Sequence, residues 1–406
     1  MNFPYFISNR ISKARGSLFS SSIYKMAIGS TAIGLATMIL SFAILKGFQK
    51  TVKEKIYNFS AHLHVTKYTL NNSFEEEPIS LNNELYTNHE AYDYVEHVQE
   101  YSHKAGLIKT KKEVLGIVFK GIGSSYNPSV FGESIIEGEF IDFNDSTYSK
   151  DVLLSKIIAD KLQLGVGDRV TVHFFQNPPR VRRLNVKGIY ETNLSEYYDD
   201  KFIVGDIDLI RRLNNWADTL AGGMEVFVKD IDKVDQAEDA LEDMLNYDLF
   251  VEKVSDKYLQ VFEWLNLISN QVNLILVIIL FVICLNMVSI TLILIIERTH
   301  MIGVVKALGG TNGLIRNIFN YSGLRLIGKG LLWGNGIGLG ISALQYFFHI
   351  IPLDPKDYYM SHVPISWNWD IIIGLNVLTL IVIYVILILP TLVISRIDPI
   401  KSIRFD

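Results

Sequence analysis

The chain has 406 residues, 49% of them hydrophobic and 20% charged, with a formal net charge of −5 and a mean hydropathy of +0.23. That is too apolar for an ordinary soluble enzyme and too charged for a protein lying wholly in a bilayer, and no nucleic-acid partner is expected of it. The single cysteine, Cys284, excludes an internal disulfide and a cysteine-based metal site.

In chain order, residues 1–25 read as an amphipathic segment made basic by Arg10, Lys13, Arg15 and Lys25. Residues 26–46 are the first of four runs long and apolar enough to cross a hydrocarbon core of about 30 Å, which needs roughly 20 helical residues. The run is too long for the apolar core of a signal peptide, and "SFAILKGFQK" offers no small-residue cleavage site. It is expected to stay as an anchor.

Residues 47–264 contain no further span and hold 37 acidic against 24 basic residues, a net of −13, while the rest of the chain sums to +8. This block is expected to be an extramembrane domain of two parts. One is of βαβ type and covers about 60–120 and 220–255. In it "AHLHVTKY" alternates as a strand, "LNNELYTNHEAYDYVEHVQ" reads as a helix and "KEVLGIVFKGI" as a second strand, and "MEVFVKD", "VDQAEDALEDMLN" and "YDLFVEKVS" repeat that order. The other part, about 121–215, is β-rich. There "VLLSKIIADKLQLGVGDRVTVHFF" reads as a helix, a turn at Gly165 and Gly167, and a strand. The prolines of "QNPPR" break the ladder to the next strand and make an exposed hairpin tip, either a plain turn or a stiff contact surface for a partner built on Gln176, Pro178, Pro179 and Arg180. His62 and His64 share a strand face, a spacing that can bind metal, but no third ligand is apparent and no metal site is assigned.

The remaining spans are 265–296, 324–348 and 371–394. The N-terminal segment (Arg10, Lys13, Arg15, Lys25), the 297–323 loop (Arg298, Lys306, Arg316) and the 395–406 tail (Arg396, Lys401, Arg404) are all basic, so all three belong in the cytoplasm. The 349–370 loop, with one Lys against three Asp, goes outside with the large domain. The second span exceeds what a bilayer requires and begins in an amphipathic stretch, so it is expected to continue as one rigid helix able to carry movement. In the third span Gly330, Gly334 and Gly338 recur every four residues and strip one helix face of side chains, which implies close packing within the chain or with a second subunit. The near phosphate loop "GLRLIGKG" ends in Gly330 where Ser or Thr should hold magnesium and follows no strand, so it is read as chance. No catalytic constellation stands out, and no enzyme activity or bound cofactor is expected of this chain.

After the second span, Met301, Val304, Val305 and Leu308 recur at i, i+3, i+4 and i+7 as one apolar helix face, closed by Gly309 and Gly310, with Thr311 capping the next helix. By periodicity alone this is an interfacial helix or a docking helix for a cytoplasmic subunit. The stretch "ERTHMIGVVKALGGTNGLIRNIF" resembles the corresponding segment of the FtsX-like, MacB-type (type VII) ABC transporter permeases, whose pattern is roughly E-R-x-x-E-I-G-I-L-K-A-L-G-A-T. Met301 stands where that family often has an acidic residue. Two more stretches, "LKGFQKTVKEKIYNFSAHLHV" and "PTLVISRIDPIKSIRFD", resemble the lipoprotein-releasing type, the latter through Arg396, Asp398 and Pro399.

The resemblance implies an α+β membrane protein with four transmembrane helices and a large two-part α/β periplasmic domain between the first and second, set in a bacterial inner membrane with both termini cytoplasmic. It also implies that Glu297, Arg298, Met301, Ile302, Val304, Val305, Lys306, Leu308 and Gly309 form a coupling helix on a cytoplasmic ABC ATPase dimer, which would hold the ATP and magnesium. A second permease subunit, identical or related, would complete the assembly. The implied activity is extraction of lipoproteins for a periplasmic lipoprotein carrier by mechanotransmission, with membrane lipid as surroundings. The alternatives are an FtsX-like regulator acting on a periplasmic cell-wall hydrolase, or a MacB-type efflux component.

Overall fold

Residues 18–60 form one helix, α1 (Leu18–Ser60), which runs well past the predicted span and stops where Ala61 turns into the left-handed region at φ 55°. The computed structural model describes residues 4–7, 18–69, 73–110, 113–132, 134–143 and 148–396. It divides into two units: a helical one drawn from residues up to Lys50, from Trp264–Pro352 and from His362 onward, and an outer one comprising Thr51–Glu263 and Leu353–Ser361.

The outer unit is built on one mixed sheet. Its strands are β1 (Leu63–Lys67), β3 (Val95–Lys109), β4 (Val114–Ile122), β5 (Ile135–Gly138), β6 (Asp151–Ser155), β7 (Arg169–Phe174), β8 (Arg180–Tyr190), β9 (Phe202–Asp206), β11 (Gly223–Val228) and β12 (Leu249–Lys253), while β2 (Ile79–Ser80) and β10 (Leu220–Ala221) pair separately. The order is β12-β1-β11-β3-β4-β9-β6-β8-β5, with β7 joining β3 to β8. Strand β1 lies antiparallel between β11 and β12, so those two run parallel to each other around it. The 15-residue β3 spans both halves: it pairs with β11 over Val95–Tyr101 and with β7 over Gly106–Ile108. In the gap the Glu76 carboxylate accepts from the His103 amide at 2.9 Å and Glu75 accepts from the Ala105 amide at 3.2 Å, so acidic side chains replace the missing strand.

Two apolar cores cover this sheet. In one, Leu63, Val65, Val98, Met224, Val226 and Val251 pack against Ala237 and Leu241 of α4 (Val234–Met244). In the other, Val152, Leu154, Val172, Leu184 and Ile203 pack against Ile158 and Leu162 of α2 (Lys156–Leu162) and Leu209, Ile210 and Leu213 of α3 (Ile207–Asn214). Ser155 caps α2 by accepting from the Ile158 amide, and Asp206 caps α3 by accepting from Asp208.

The structure corrects two elements expected from the sequence. The helix read over 81–99 is one turn, Glu84–Thr87, capped by Asn83 and followed by a short 3-10 turn, His89–Ala91; Val95 and Val98 then face the core on β3. Likewise "VLL" at 152–154 is the buried strand β6, and the helix begins only after the Ser155 cap. In both places a polar cap set the helix boundary and apolar residues went to the sheet.

In the helical unit α5 (Leu259–Glu297), α6 (Thr299–Ala307), α7 (Asn312–Phe348) and α8 (Trp369–Thr391) follow in order. Among the described residues three helices are long and apolar enough to cross a membrane, lying in Ser22–Ser60, Leu259–Glu297 and Trp369–Ser395. The sequence suggested a fourth at 324–348. There α7 is 37 residues long, but its glycines together with Asn335 and Gln345 lower its apolarity below that of the other three. A core including Leu35, Ile39, Ile283, Met287, Ile327 and Leu387 joins α1, α5, α7 and α8. Leu274, Val277, Ile278, Phe281 and Val282 on α5, and Ile373, Val377, Ile381 and Val385 on α8, are exposed, an apolar exterior suited to lipid.

The outer unit also buries charge. Lys120 on β4, 2% exposed, places Nζ 2.6 Å from Glu225 Oε1, donates to the Phe59 carbonyl and lies 4.5 Å from the Phe59 ring centroid; the other Glu225 oxygen accepts from Gln99 at 2.7 Å. Burial lowers the Lys120 pKa and the Glu225 carboxylate opposes the shift. Lys120→Met strands the carboxylate in the interior and should cost about 3–5 kcal/mol in denaturant unfolding of the outer unit, whereas the double change Lys120→Met, Glu225→Met should recover most of that loss. An equal loss in both variants would show that the pair is not the source.

Candidate functional site

The segment linking α5 to α7 is fixed at every joint. Glu297 ends α5 exposed, Arg298 is half-buried at the junction, and the Thr299 hydroxyl donates to the Ile296 carbonyl at 2.6 Å. The amide of Ile302 reaches the carbonyl of Arg298 at 3.0 Å, which starts α6. At its other end Gly309 takes φ 86°, its amide bonding the Lys306 carbonyl and the Gly310 amide bonding the Val305 carbonyl. That pair is the Schellman closure, and only glycine adopts the required backbone without strain. A Cβ on Gly310 would meet the Val305 carbonyl oxygen at 2.7 Å. Thr311 then accepts from the Leu314 amide and opens α7.

The single apolar face expected on α6 is divided in two. Ile302 is fully buried with Ile295, Ile315, Phe319 and Ile394, and Met301, Val305 and Leu314 pack around them. Lys306 reaches across to donate to the Ile394 carbonyl at 2.8 Å, tying α6 to the turn after α8. Val304 and Leu308 point outward, 39% and 83% exposed, and Glu297 and His300 are exposed as well. An anchored helix therefore presents an exposed apolar pair at its outward side, with the exposed Glu297 just before its start. Heptad counting finds the apolar residues but not this division, because the inward side is set by Ile394, almost 90 positions away.

The three-glycine stripe is used within the chain. A Cβ on Gly330 would meet the Thr31 side chain at 2.7 Å, one on Gly334 the Ala32 carbonyl oxygen at 2.9 Å, and one on Gly338 the Ala36 Cα at 3.1 Å, so α7 lies directly on α1. Sequence reading missed two further close approaches, Gly34 against Ile283 and Gly323 against Leu387, where lone glycines in apolar helices were the available signal. It also missed Asn335 and Asn376, which exchange side-chain hydrogen bonds of 2.7 and 3.0 Å between α7 and α8.

At the β7–β8 hairpin Pro178 and Pro179 are exposed after a cis Asn177–Pro178 bond. Arg180 is committed to the fold: its guanidinium donates to the Arg212 and Leu213 carbonyls at 2.9 and 3.1 Å, capping the C-terminus of α3, and Gln176 reaches Leu213 at 3.4 Å. The exposed residues left at the tip are Phe175, Asn177, Pro178, Pro179 and Val181. His62 and His64 do not converge on a common ligand: His62 Nδ1 accepts from the Val228 amide and His64 Nε2 bonds the Ser60 carbonyl, each at 2.8 Å. Burial lowers the His62 pKa to about 4 and holds that of His64 well below its ordinary value. Of the C-terminal motif, Arg396 closes the last helical turn, while Asp398 and Pro399 lie outside the described residues.

Gly334→Leu should force α7 off α1 and lower the thermal stability of the detergent-solubilised chain by about 1–3 kcal/mol. Gly336→Leu, at a position where an added Cβ meets no atom within 4 Å, should change it little. Equal effects at both sites would contradict the assignment of the stripe to α1.

The MacB-like periplasmic core domain model matches residues 26–244, and the FtsX-like permease C-terminal model matches residues 273–399. The chain is 21% identical over 408 residues to the lipoprotein-releasing system transmembrane protein LolC of Xylella fastidiosa, covering 96% of this chain and 95% of that one. It is 21% identical over 406 residues to LolC of Neisseria meningitidis, with the same coverage, and 19% identical over 388 residues to LolE of Haemophilus influenzae, covering 91% of each. Among solved structures, the periplasmic region of MacB from Actinobacillus actinomycetemcomitans aligns with a TM-score of 0.36 at 16% identity, covering 50% of this chain and 92% of that one. The chain therefore belongs to the FtsX-like ABC transporter permeases that carry a MacB-like periplasmic core domain.

Proposed function

We propose that this permease uses ATP hydrolysis on a partner dimer to lift lipoproteins out of the bacterial inner membrane and pass them to a periplasmic carrier, by mechanical transmission and without a tunnel. The lipoprotein-releasing relatives, alike over nearly their whole length, support the substrate class. The observation that carries the mechanism is the divided α6, whose inner side is locked and whose outer edge, Val304 and Leu308, is an exposed apolar surface without a packing partner among the described residues. In this reading α7 is the fourth crossing, its polar and glycine positions turned to α1 and α8, both termini and α6 are cytoplasmic, and the large domain is periplasmic. ATP and magnesium sit on the partner ATPase, and a second permease, identical or related, completes the assembly. Helices α1 and α5 each contain residues of both units, which gives the chain two continuous backbone connections along which a cytoplasmic movement can be carried.

Leu308 is the side chain to test. Docking would bury it for about 1.5–3 kcal/mol, whereas Val305 already packs inside the chain, so its loss mixes folding with docking. In cells depleted of the native chain, outer-membrane lipoproteins should accumulate in the inner membrane. Supplying Leu308→Asp should leave them there although the variant inserts normally. Normal sorting after depletion would overturn the substrate assignment, and full rescue by Leu308→Asp would overturn the docking assignment.

A further inference from the structure

The outer sheet has two unlike faces. Leu63, Val65, Met224, Val226 and Val98 point to the apolar core, so the alternate residues in the same registers point the other way. His64 lies opposite both Glu225 and Glu252, Glu225 opposite Gln99, Gly223 opposite Tyr101, and His103 opposite Lys120. A row of ionisable and aromatic groups thus crosses five adjacent strands, and a cavity of about 600 Å³ lies over it, within the outer unit.

Most of the deep charge is internally compensated. Lys120 is paired with Glu225, His103 Nδ1 lies 2.5 Å from Glu76, and Lys104 lies 2.7 Å from Glu75. Three groups on the cavity wall are left with unused capacity. Tyr101 is fully buried, yet its hydroxyl has no hydrogen-bond partner among the described residues. Burial keeps that phenol protonated, its pKa well above the ordinary value, so it is a donor awaiting an acceptor. Lys257 is exposed and directs one of its three N–H bonds to His64 Nδ1 at 3.0 Å; His64 is neutral and accepts it, because burial and the Lys257 charge both depress its pKa. Glu252 is half-buried and makes no hydrogen bond or close ion pair among the described residues, the Lys257 charge acting on it only through space. Tyr68, Phe74 and Phe250 line the same cavity and are 63%, 55% and 42% exposed.

We propose that this cavity binds a short zwitterionic peptide, with its carboxylate at Lys257, its ammonium at Glu252, a main-chain carbonyl accepting from the Tyr101 hydroxyl and an apolar side chain on the aromatic rim. A cation and an anion at one cavity, near enough to feel each other's charge but not joined in a close ion pair, fit a ligand carrying both signs. A phosphate-bearing headgroup fits poorly, because four carboxylates, Glu75, Glu76, Glu225 and Glu252, line the cavity and a single ammonium is unpaired with acid. Aromatic walls with a few placed polar groups are the usual make-up of a small-ligand site. The inference does not rest on the transport reading, since every residue in it belongs to the outer unit.

The test uses the full-length chain in lipid nanodiscs, titrated calorimetrically with the dipeptide Ala-Phe. Saturable binding is expected, weakened about tenfold by Tyr101→Phe, which removes one hydrogen bond, and by Lys257→Met, a surface change that leaves the core intact. The same dipeptide acetylated and amidated should not bind. The proposal is overturned by absence of saturable Ala-Phe binding below about 1 mM, by equal affinity in the native chain and both variants, or by tighter binding of glycerophosphoethanolamine than of Ala-Phe.

Discussion

The helical unit depends on contact between two backbones. In a hydrocarbon solvent apolar side chains gain nothing by leaving lipid for one another, so helices associate through close packing and a few hydrogen bonds. Here Gly330, Gly334 and Gly338 bring α7 down onto Thr31, Ala32 and Ala36 of α1, and the Asn335–Asn376 pair holds α8 to the same helix. Once α7 is placed, its start at Thr311 is placed, and Ile315 and Phe319 on its first turns form the floor under α6. The orientation of Leu308 is therefore inherited, through the Gly309 turn and the Lys306 bond to Ile394, from the packing of α7 in the bundle.

The outer unit solves a different problem. Its long strand β3 changes partners midway, and a polypeptide edge without a partner needs acceptors for its amides. Glu75 and Glu76 supply them, and the same carboxylates lie against the Lys104 ammonium and the His103 ring. Acidic residues that a sequence count assigns to solvent are thus part of the sheet, and together with Lys120 and Glu225 they make one of its faces polar. That face leaves room for a cavity where an apolar one would have closed by packing.

Several features were legible from residue pattern. The apolar runs, the stripe of glycines and the Gly309–Thr311 stop and start are local signals, because each follows from side chains within one or two turns. Other features depend on distant partners. Whether 152–154 is helix or strand is decided by neighbours on β8 and β9, and Arg180 reads as a free surface cation until the C-terminus of α3 is brought beside it. The split of α6 into an inner and an outer side belongs to this second class, since Ile394 comes from the far end of the chain. The run at 324–348 is a related case: glycine and asparagine used for packing on α7 are the same residues that hold its apolarity below that of the three helices long and apolar enough to cross a membrane.

The central claim is that the outward edge of α6 is the surface on which an ATPase drives this permease. The most direct measurement is site-specific cross-linking from Leu308→Cys, with Cys284 replaced by Ser, in native membranes. The account predicts a product with a soluble ATP-binding-cassette subunit whose yield changes when a non-hydrolysable nucleotide is added. Labelling of that position by lipid probes alone, with no protein product in either nucleotide condition, would contradict it.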